Sequence, residues 1–167
     1  MTASGTIALS RLSDIFGEAN VIRDPALLAA YRIGGQSPTA AVQPRSSEEV
    51  SEILKFATSE KLTSVISGAR TKLAMGIPPR QYDLALDMSR MQRIIGYDPQ
   101  DLTLSVESGT PLQTISNALA EHGQFLPLAV PFSARATIGG TIASGVDSPL
   151  RQSFGTARDF VLGMEFV

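Results

Sequence analysis

The chain has 167 residues, 43% hydrophobic and 18% charged, which supplies a buried core for one globular domain and excludes a disordered chain. A net charge of −2 leaves no electrostatic footprint for nucleic acid. Cysteine is absent and His122 is the only histidine, so disulfides, thiolate metal sites and a cysteine nucleophile are excluded, and a histidine metal site or Ser-His-Asp triad is disfavoured.

The amino terminus, MTASGTIALSRLSDIFGEAN, has no basic lead followed by a continuous apolar stretch and does not read as a signal peptide. No window approaches the roughly 18 apolar residues of a membrane span. The expected location is the cytoplasm, with any attachment to the inner membrane peripheral and made through a partner. Residues 1–39 read as a helical preface. Leu9, Leu12, Ile15 and Phe16 fall at helical spacing, Gly17 ends that turn, and Pro25 opens a second short helix through Leu27, Leu28 and Tyr31. Ile33 to Thr39 is a loop by composition.

Residues 40–98 read as a first small α/β unit. Ala41 to Gln43 form a short strand, and Ser46 with Glu49 makes a capping box for a helix that places Val50, Ile53, Leu54 and Ala57 on one face. Thr63 to Ser67 is a β-rich run feeding a loop from Gly68 to Gly76. Leu84 to Met88 reads as a strand and Met91 to Ile95 as a bridging segment. Residues 99–167 read as a second unit. Leu102, Leu104 and Val106 alternate with Thr103, Ser105 and Glu107 as a half-buried strand, and Gly109 breaks it. Thr110-Pro111-Leu112-Gln113 starts a helix by the capping rules, with Leu112, Ile115, Leu119 and His122 on a shared face and Gly123 at a left-handed C-cap. A polar, glycine-rich stretch follows from Pro131 to Asp159. The apolar run Phe160 to Val167 reads as a strand; its stop at the last residue is expected of an edge strand or, better, of a domain cut at its C-terminal end.

Two segments have the composition to receive an anion or a flat ligand. The first, Ser67 to Gly76, follows a strand; small residues let a ligand approach the backbone, successive N–H groups form an anion-binding nest, and Arg70 and Lys72 add positive charge. The spacing is neither that of a triphosphatase P-loop nor of the Gly-x-Gly-x-x-Gly fingerprint. An ordinary strand-to-strand connection has the same composition. The second, Ala136 to Gly145, alternates small residues, hydroxyls and the pair Gly139-Gly140, and offers backbone donors; a tight helix–strand contact would look alike. His122 reads as a helix-end residue interacting with the dipole. Asp147, Arg151 and Asp159 read as surface ion pairs or ligand-orienting groups, and Met75, Met88, Met91 and Met164 as core filler.

Pro131, then Ala136-Thr137-Ile138-Gly139-Gly140, Ala143-Ser144-Gly145, Phe154-Gly155 and Arg158 to Gly163 together resemble the FAD-binding domain of the vanillyl-alcohol oxidase/p-cresol methylhydroxylase class. Within it, Ser148-Pro149-Leu150-Arg151, the Ala157 to Gly163 run, the Gly68 to Lys72 loop, Ile95 to Pro99 and Gly109 to Leu112 are most similar to FAD-binding subunits of bacterial glycolate oxidases. The likeness covers about Gln43 to Val167. It implies an α+β fold, a PCMH-type FAD-binding domain of two small α/β subdomains with mixed sheets.

The resemblance further implies that Ser67, Gly68, Ala69, Arg70, Thr71, Lys72 and Leu73 take the pyrophosphate. Thr137, Gly139, Gly140, Thr141, Ala143, Ser144 and Gly145 would line the flavin and ribityl chain, and Asp159 and Val161 would lie near the adenine. Pro131, Ser148 and Arg151 belong to the same cofactor-binding set. Relatives that attach flavin covalently use a histidine in the first loop; Ala69, Arg70 and Thr71 stand there instead, which implies non-covalent FAD. The implied function is a flavoprotein oxidoreductase module acting on a small 2-hydroxy acid such as glycolate, beside a second flavoprotein subunit and an iron–sulfur subunit whose cluster ligands must come from the partner. A flavin-binding or scaffolding module without turnover stands as an alternative, as do a lactate dehydrogenase or an aryl-alcohol oxidase of the same class. No catalytic residue is assigned.

Overall fold

The structure, a computed structural model, describes residues 11–146 and 148–167. Leu9 and Asp147, both singled out by the sequence, lie outside the described residues. Helix α1 is described over residues 11–16; Leu12 is wholly buried, and Gly17 at φ 81 ends the helix by donating its amide to Ser13 O at 2.9 Å. Strand β1 (Val21–Ile22) and helix α2 (Pro25–Leu28) follow. Asp24 caps α2 by accepting the Ala26 amide at 2.8 Å, and Pro25 sits at its first turn, where a missing N–H costs nothing.

The first sheet has the order β1-β2-β4-β3, built from β1, β2 (Ala40–Val42), β4 (Leu84–Asp87) and β3 (Ser64–Ser67). β2, β4 and β3 run parallel and β1 antiparallel. Helix α3 (Ser47–Ser59) links β2 to β3. Side chains alternate across the pleat with period two. Ala40, Val42, Leu84 and Leu86 therefore pack with Leu12, Val50, Ile53, Ala57 and Met91 on one side. Ala41 and Ala85 pack with Leu28, Tyr31, Ile33 and Tyr82 on the other. With both faces covered, β2 and β4 are buried throughout and carry no exposed position. At the start of α3, Ser46 Oγ accepts the Glu49 amide at 3.3 Å, while the Glu49 carboxylate accepts the Arg45 amide at 2.8 Å. The return half of the capping box is thus displaced by one residue.

β5 (Ile94–Asp98) and β6 (Thr103–Val106) form an antiparallel hairpin. The expected bridging segment Met91–Ile95 thus runs into a strand, and the hairpin straddles residues 98 and 99, where the sequence sets the start of a second unit. Leu102 corrects the alternation reading: it sits in the hairpin turn at φ 56 and is exposed, so the inward face comprises Leu104 and Val106. Helix α4 (Leu112–Ala120) packs Leu112, Ile115 and Leu119 against Val130 and Ala136. Its start also differs from expectation. Thr110 makes no side-chain cap, because its hydroxyl donates to Arg93 O at 3.3 Å and the Leu112 amide donates to Ala136 O at 2.8 Å. Tertiary hydrogen bonds replace the local cap. Gly123 takes the left-handed conformation at φ 67, and His122 lies exposed beyond the helix, edge-on to Tyr97.

Three short helices follow: α5 (Ile138–Ser144), α6 (Arg151–Phe154) and α7 (Ala157–Phe160). The run expected as a terminal strand is not one. Phe160 ends α7, and residues 161–167 have no ladder partner among the described residues, with Leu162 and Phe166 exposed. Without a neighbouring strand to pair its N–H and C=O groups, β propensity alone makes no strand. Among the described residues no helix is long and apolar enough to cross a membrane.

Candidate functional site

The two small-residue segments meet. A Cβ built on Gly68 would fall on Thr137 Oγ1, so the loop passes so close to the start of α5 that no side chain fits. Thr137 is buried and caps α5 by accepting the Gly140 amide at 3.3 Å. The same stretch is stitched to the turn before α4, where Ile138 N donates to Thr110 O at 2.9 Å and Gly139 N to Ser108 O at 2.8 Å. A Cβ on Gly139 would stand 2.7 Å from that Ser108 oxygen. These contacts join the first sheet to the β5–β6 unit along one seam.

The two segments differ in what their backbones offer. In the second, the amides of Ile138, Gly139, Gly140 and Thr141 all donate within the protein, so the free donors expected there are absent; capping and tertiary bonding have taken them. In the first, the amides of Ala69, Arg70, Thr71, Lys72 and Leu73 donate to no acceptor among the described residues. Buried polar groups are normally hydrogen-bonded. Here Ser67 Oγ and Thr141 Oγ1 are both buried without a hydrogen-bond partner among the described residues.

The Arg70 guanidinium turns inward, with NH1 2.7 Å from Asp87 Oδ2 and the cation 4.6 Å from the Tyr31 ring centre. Asp87 is wholly buried at the end of β4 and also accepts Tyr31 OH at 2.6 Å, Gln43 Nε2 at 3.0 Å and the Ser89 amide at 3.0 Å. Burial, then the hydrogen bond to Asp87, pushes the Tyr31 hydroxyl well above the usual tyrosine range. Tyr82, buried with its hydroxyl unpartnered, is pushed up to about 12, chiefly by desolvation. Arg70 holds φ 60, a left-handed conformation that costs a non-glycine residue about 1–2 kcal/mol. A hydrogen bond to a charged group contributes about 1.5–3 kcal/mol, so the Asp87 contact offsets that strain. Lys72 has no ion pair among the described residues, and desolvation lowers its pKa. It lines an open cleft of about 300 Å³ with Ile33, Val65, Ile66, Leu73, Met75, Ile77 and Pro79.

The remaining sequence-nominated residues lie along the chain after the seam. Pro131 is exposed just before Phe132 at φ 60. Ala143 is exposed on α5, Ser144 Oγ donates to Thr141 O at 3.1 Å, and Gly145 ends the helix at φ 57. Ser148 is buried, its Oγ accepting the Ala129 amide at 3.0 Å and the Leu150 amide at 3.1 Å. Arg151 is exposed at the start of α6. Asp159 caps α7, accepting the Thr156 amide at 2.6 Å and its hydroxyl at 2.8 Å, and those bonds hold its carboxyl below the usual range. Val161 follows α7, half-buried, and α5 and α7 lie against each other. The sequence reading passed over Asp87, Tyr31 and Gln43. The available signal was the charge closing an otherwise apolar strand, Leu84-Ala85-Leu86-Asp87.

The seam fits a phosphate-bearing cofactor on two observations: loop amides without an acceptor, and Ser67 and Thr141 hydroxyls without a partner, among the described residues. Comparison with known proteins points the same way. A family described as the FAD binding domain matches residues 38–167. The glycolate oxidase subunit GlcE of Escherichia coli (strain K12) is 38% identical over 122 residues, covering 72% of this chain and 34% of that protein. A D-2-hydroxyglutarate dehydrogenase of Xanthomonas citri pv. viticola is 33% identical over 133 residues, covering 78% of this chain and 28% of that protein. The chain thus spans about a third of these relatives' length. In fold, an alkyldihydroxyacetonephosphate synthase superposes with a TM-score of 0.80 at 18% identity, over 92% of this chain and 34% of that one. p-Cresol methylhydroxylase superposes with a TM-score of 0.72 at 22% identity, over 88% of this chain and 30% of that one. With a family match over most of its length, a mixed α/β fold shared with p-cresol methylhydroxylase and a seam suited to a dinucleotide, the chain belongs to the FAD binding domain family.

Proposed function

We propose that this domain binds FAD non-covalently across the Gly68–Thr137 seam and serves a 2-hydroxy-acid oxidoreductase of the glycolate type. The contact between the open-backbone loop and the start of α5 is the observation that carries this reading. When bound, FAD supplies the electron acceptor for oxidation of the substrate's CH–OH group. The chain's own residues bind and orient it. The amides of Ala69, Thr71, Lys72 and Leu73, with the Lys72 ammonium, face the pyrophosphate; oriented N–H groups and a cation favour phosphate charge at fixed positions. Ser67 and Thr141 supply hydroxyls that have no other partner among the described residues. Gly140, Ala143, Ser144 and Gly145 leave room beside the flavin and ribityl chain, Asp159 and Val161 border the adenine side, and Pro131, Ser148 and Arg151 complete the cofactor-binding set.

Non-covalent attachment rests on side-chain chemistry. Ala69, Arg70 and Thr71 offer the flavin no imidazole or thiol, and His122 is engaged with Tyr97 beyond α4. The substrate class follows the named relatives, a glycolate oxidase subunit and a D-2-hydroxyglutarate dehydrogenase. Assembly with a second flavoprotein subunit and an iron–sulfur subunit, in the cytoplasm or peripheral to the inner membrane, completes the proposal. Acid precipitation of the purified protein tests it: yellow flavin should pass into the supernatant. Flavin retained in the pellet would overturn the non-covalent attachment. A colourless chain that also fails to take up added FAD would overturn the cofactor reading itself.

A further inference from the structure

Resting on the FAD reading of the loop, we propose that Arg70 is a positioning residue: its ion pair with Asp87 holds the Ala69–Leu73 backbone open for the phosphates, which its guanidinium does not touch. Four observations lead there. The guanidinium points into the sheet, 2.7 Å from Asp87 and stacked on Tyr31. Asp87 ends β4, a central strand of the first sheet, and its register partner on β3 is Ser67, the residue that launches the loop. The clasp therefore ties the loop to the stiffest nearby element, as a preorganised binding site requires. Arg70 is also held at φ 60, and such a residue persists only where its surroundings over-determine it. Finally, Asp87 is wholly buried, so it needs a cation, and Arg70 is the cation the structure gives it. This leaves Lys72 as the charge the loop presents outward.

The test uses the full chain with Asp87→Asn, Arg70→Ala and the double variant, and two readouts. The first is FAD affinity by quenching of flavin fluorescence. The second, independent of FAD, is the rate of tryptic cleavage after Lys72 in the apo-protein. A clasp predicts that Asp87→Asn, which keeps Arg70 and frees its charge, weakens FAD roughly tenfold and speeds cleavage after Lys72 by a similar factor. Residues acting as one unit are non-additive, so the double variant should be no worse than the poorer single. If Arg70 instead touched phosphate, Asp87→Asn would leave affinity unchanged or improved, and cleavage without FAD would match wild type; that result overturns the proposal. Should Asp87→Asn fail to fold, Arg70→Ala carries the test through the cleavage rate, since loss of a mere phosphate ligand leaves the apo-loop as it was. A wild-type chain that takes up no FAD sinks the cofactor reading, while the cleavage rates still decide the clasp.

Discussion

The loop Ala69–Leu73 and the run Ile138–Thr141 meet at one seam, yet their backbones are in opposite states. The run has closed its hydrogen bonds inside the protein: Thr137 caps α5, and Ser108 and Thr110 take the next amides. The loop has left its amides open and is held by side chains, through Arg70 on Asp87 and Tyr31. One segment is thus a finished wall and the other an open rim. Small residues serve different ends in each. In the run, Gly139 allows backbone to approach Ser108; in the loop, Gly68 allows the rim to reach the wall.

The strongest way to break this arrangement is to force the two apart. Gly68→Val places a branched side chain where Thr137 Oγ1 now sits. Overpacking of this kind costs about 1–3 kcal/mol, equivalent to a loss of FAD affinity of roughly 5- to 150-fold if it acts on the seam. Isothermal titration with FAD should show that loss together with a lowered thermal midpoint. A variant that binds FAD as wild type would separate the seam from the cofactor.

A smaller change tests the rim's charge. Lys72→Gln keeps length and hydrogen bonding while removing the positive charge. An exposed ion pair is worth about 0–1 kcal/mol and a charged hydrogen bond about 1.5–3. For a cation at a solvent-facing rim, a roughly fivefold loss of affinity is expected, fading as added salt screens the wild-type charge. The apo-protein carries an alkaline signature of the same residue. Because burial disfavours the ammonium, the folded pKa lies below 10.5. Raising the pH through that lowered value toward 10.5 therefore stabilises wild type relative to Lys72→Gln, and lowering it again removes the gain. A stability difference that is flat across this window would place the ammonium in bulk solvent.

Much of this was legible in the residues, and the failures share a cause. The face of α3 was readable because period 3.6 is a local property of the chain, and β2 and β4 were readable as strands because each is a short apolar run. The approach of Gly68 to Thr137 lay within reach because both segments are poor in side-chain bulk. The pairing of Arg70 with Asp87 was not legible because the partner is 17 residues away and comes alongside only through the parallel register of β3 on β4. Thr110 and Leu102 were misread for a similar reason: a carbonyl on Arg93 and the hairpin turn override the local cap and the local alternation. The donors of the second run looked free because neither the Thr137 cap nor the Ser108 contact is written in glycine spacing.

The subtlest substitution asks whether the wall faces a ligand at all. At Gly140 an added Cβ meets only Thr137 Oγ1, at 3.1 Å, so the hydroxyl must yield by a few tenths of an ångström. Against that, alanine is favoured over glycine inside a helix by about 0.8–1 kcal/mol. The two terms nearly cancel, and Gly140→Ala should leave the thermal midpoint of the apo-protein within about 2–4 °C of wild type, the shift that follows from less than 1 kcal/mol in a domain of this size. Any effect on FAD then reports contact with the cofactor rather than damage to the fold. A several-fold loss of affinity at constant midpoint is expected if the glycine's open side is where the flavin or ribityl chain lies. Equal affinity would mean that the glycine serves α5 alone, and the cofactor would have to be sought along the rim, on the side of Lys72 and Leu73.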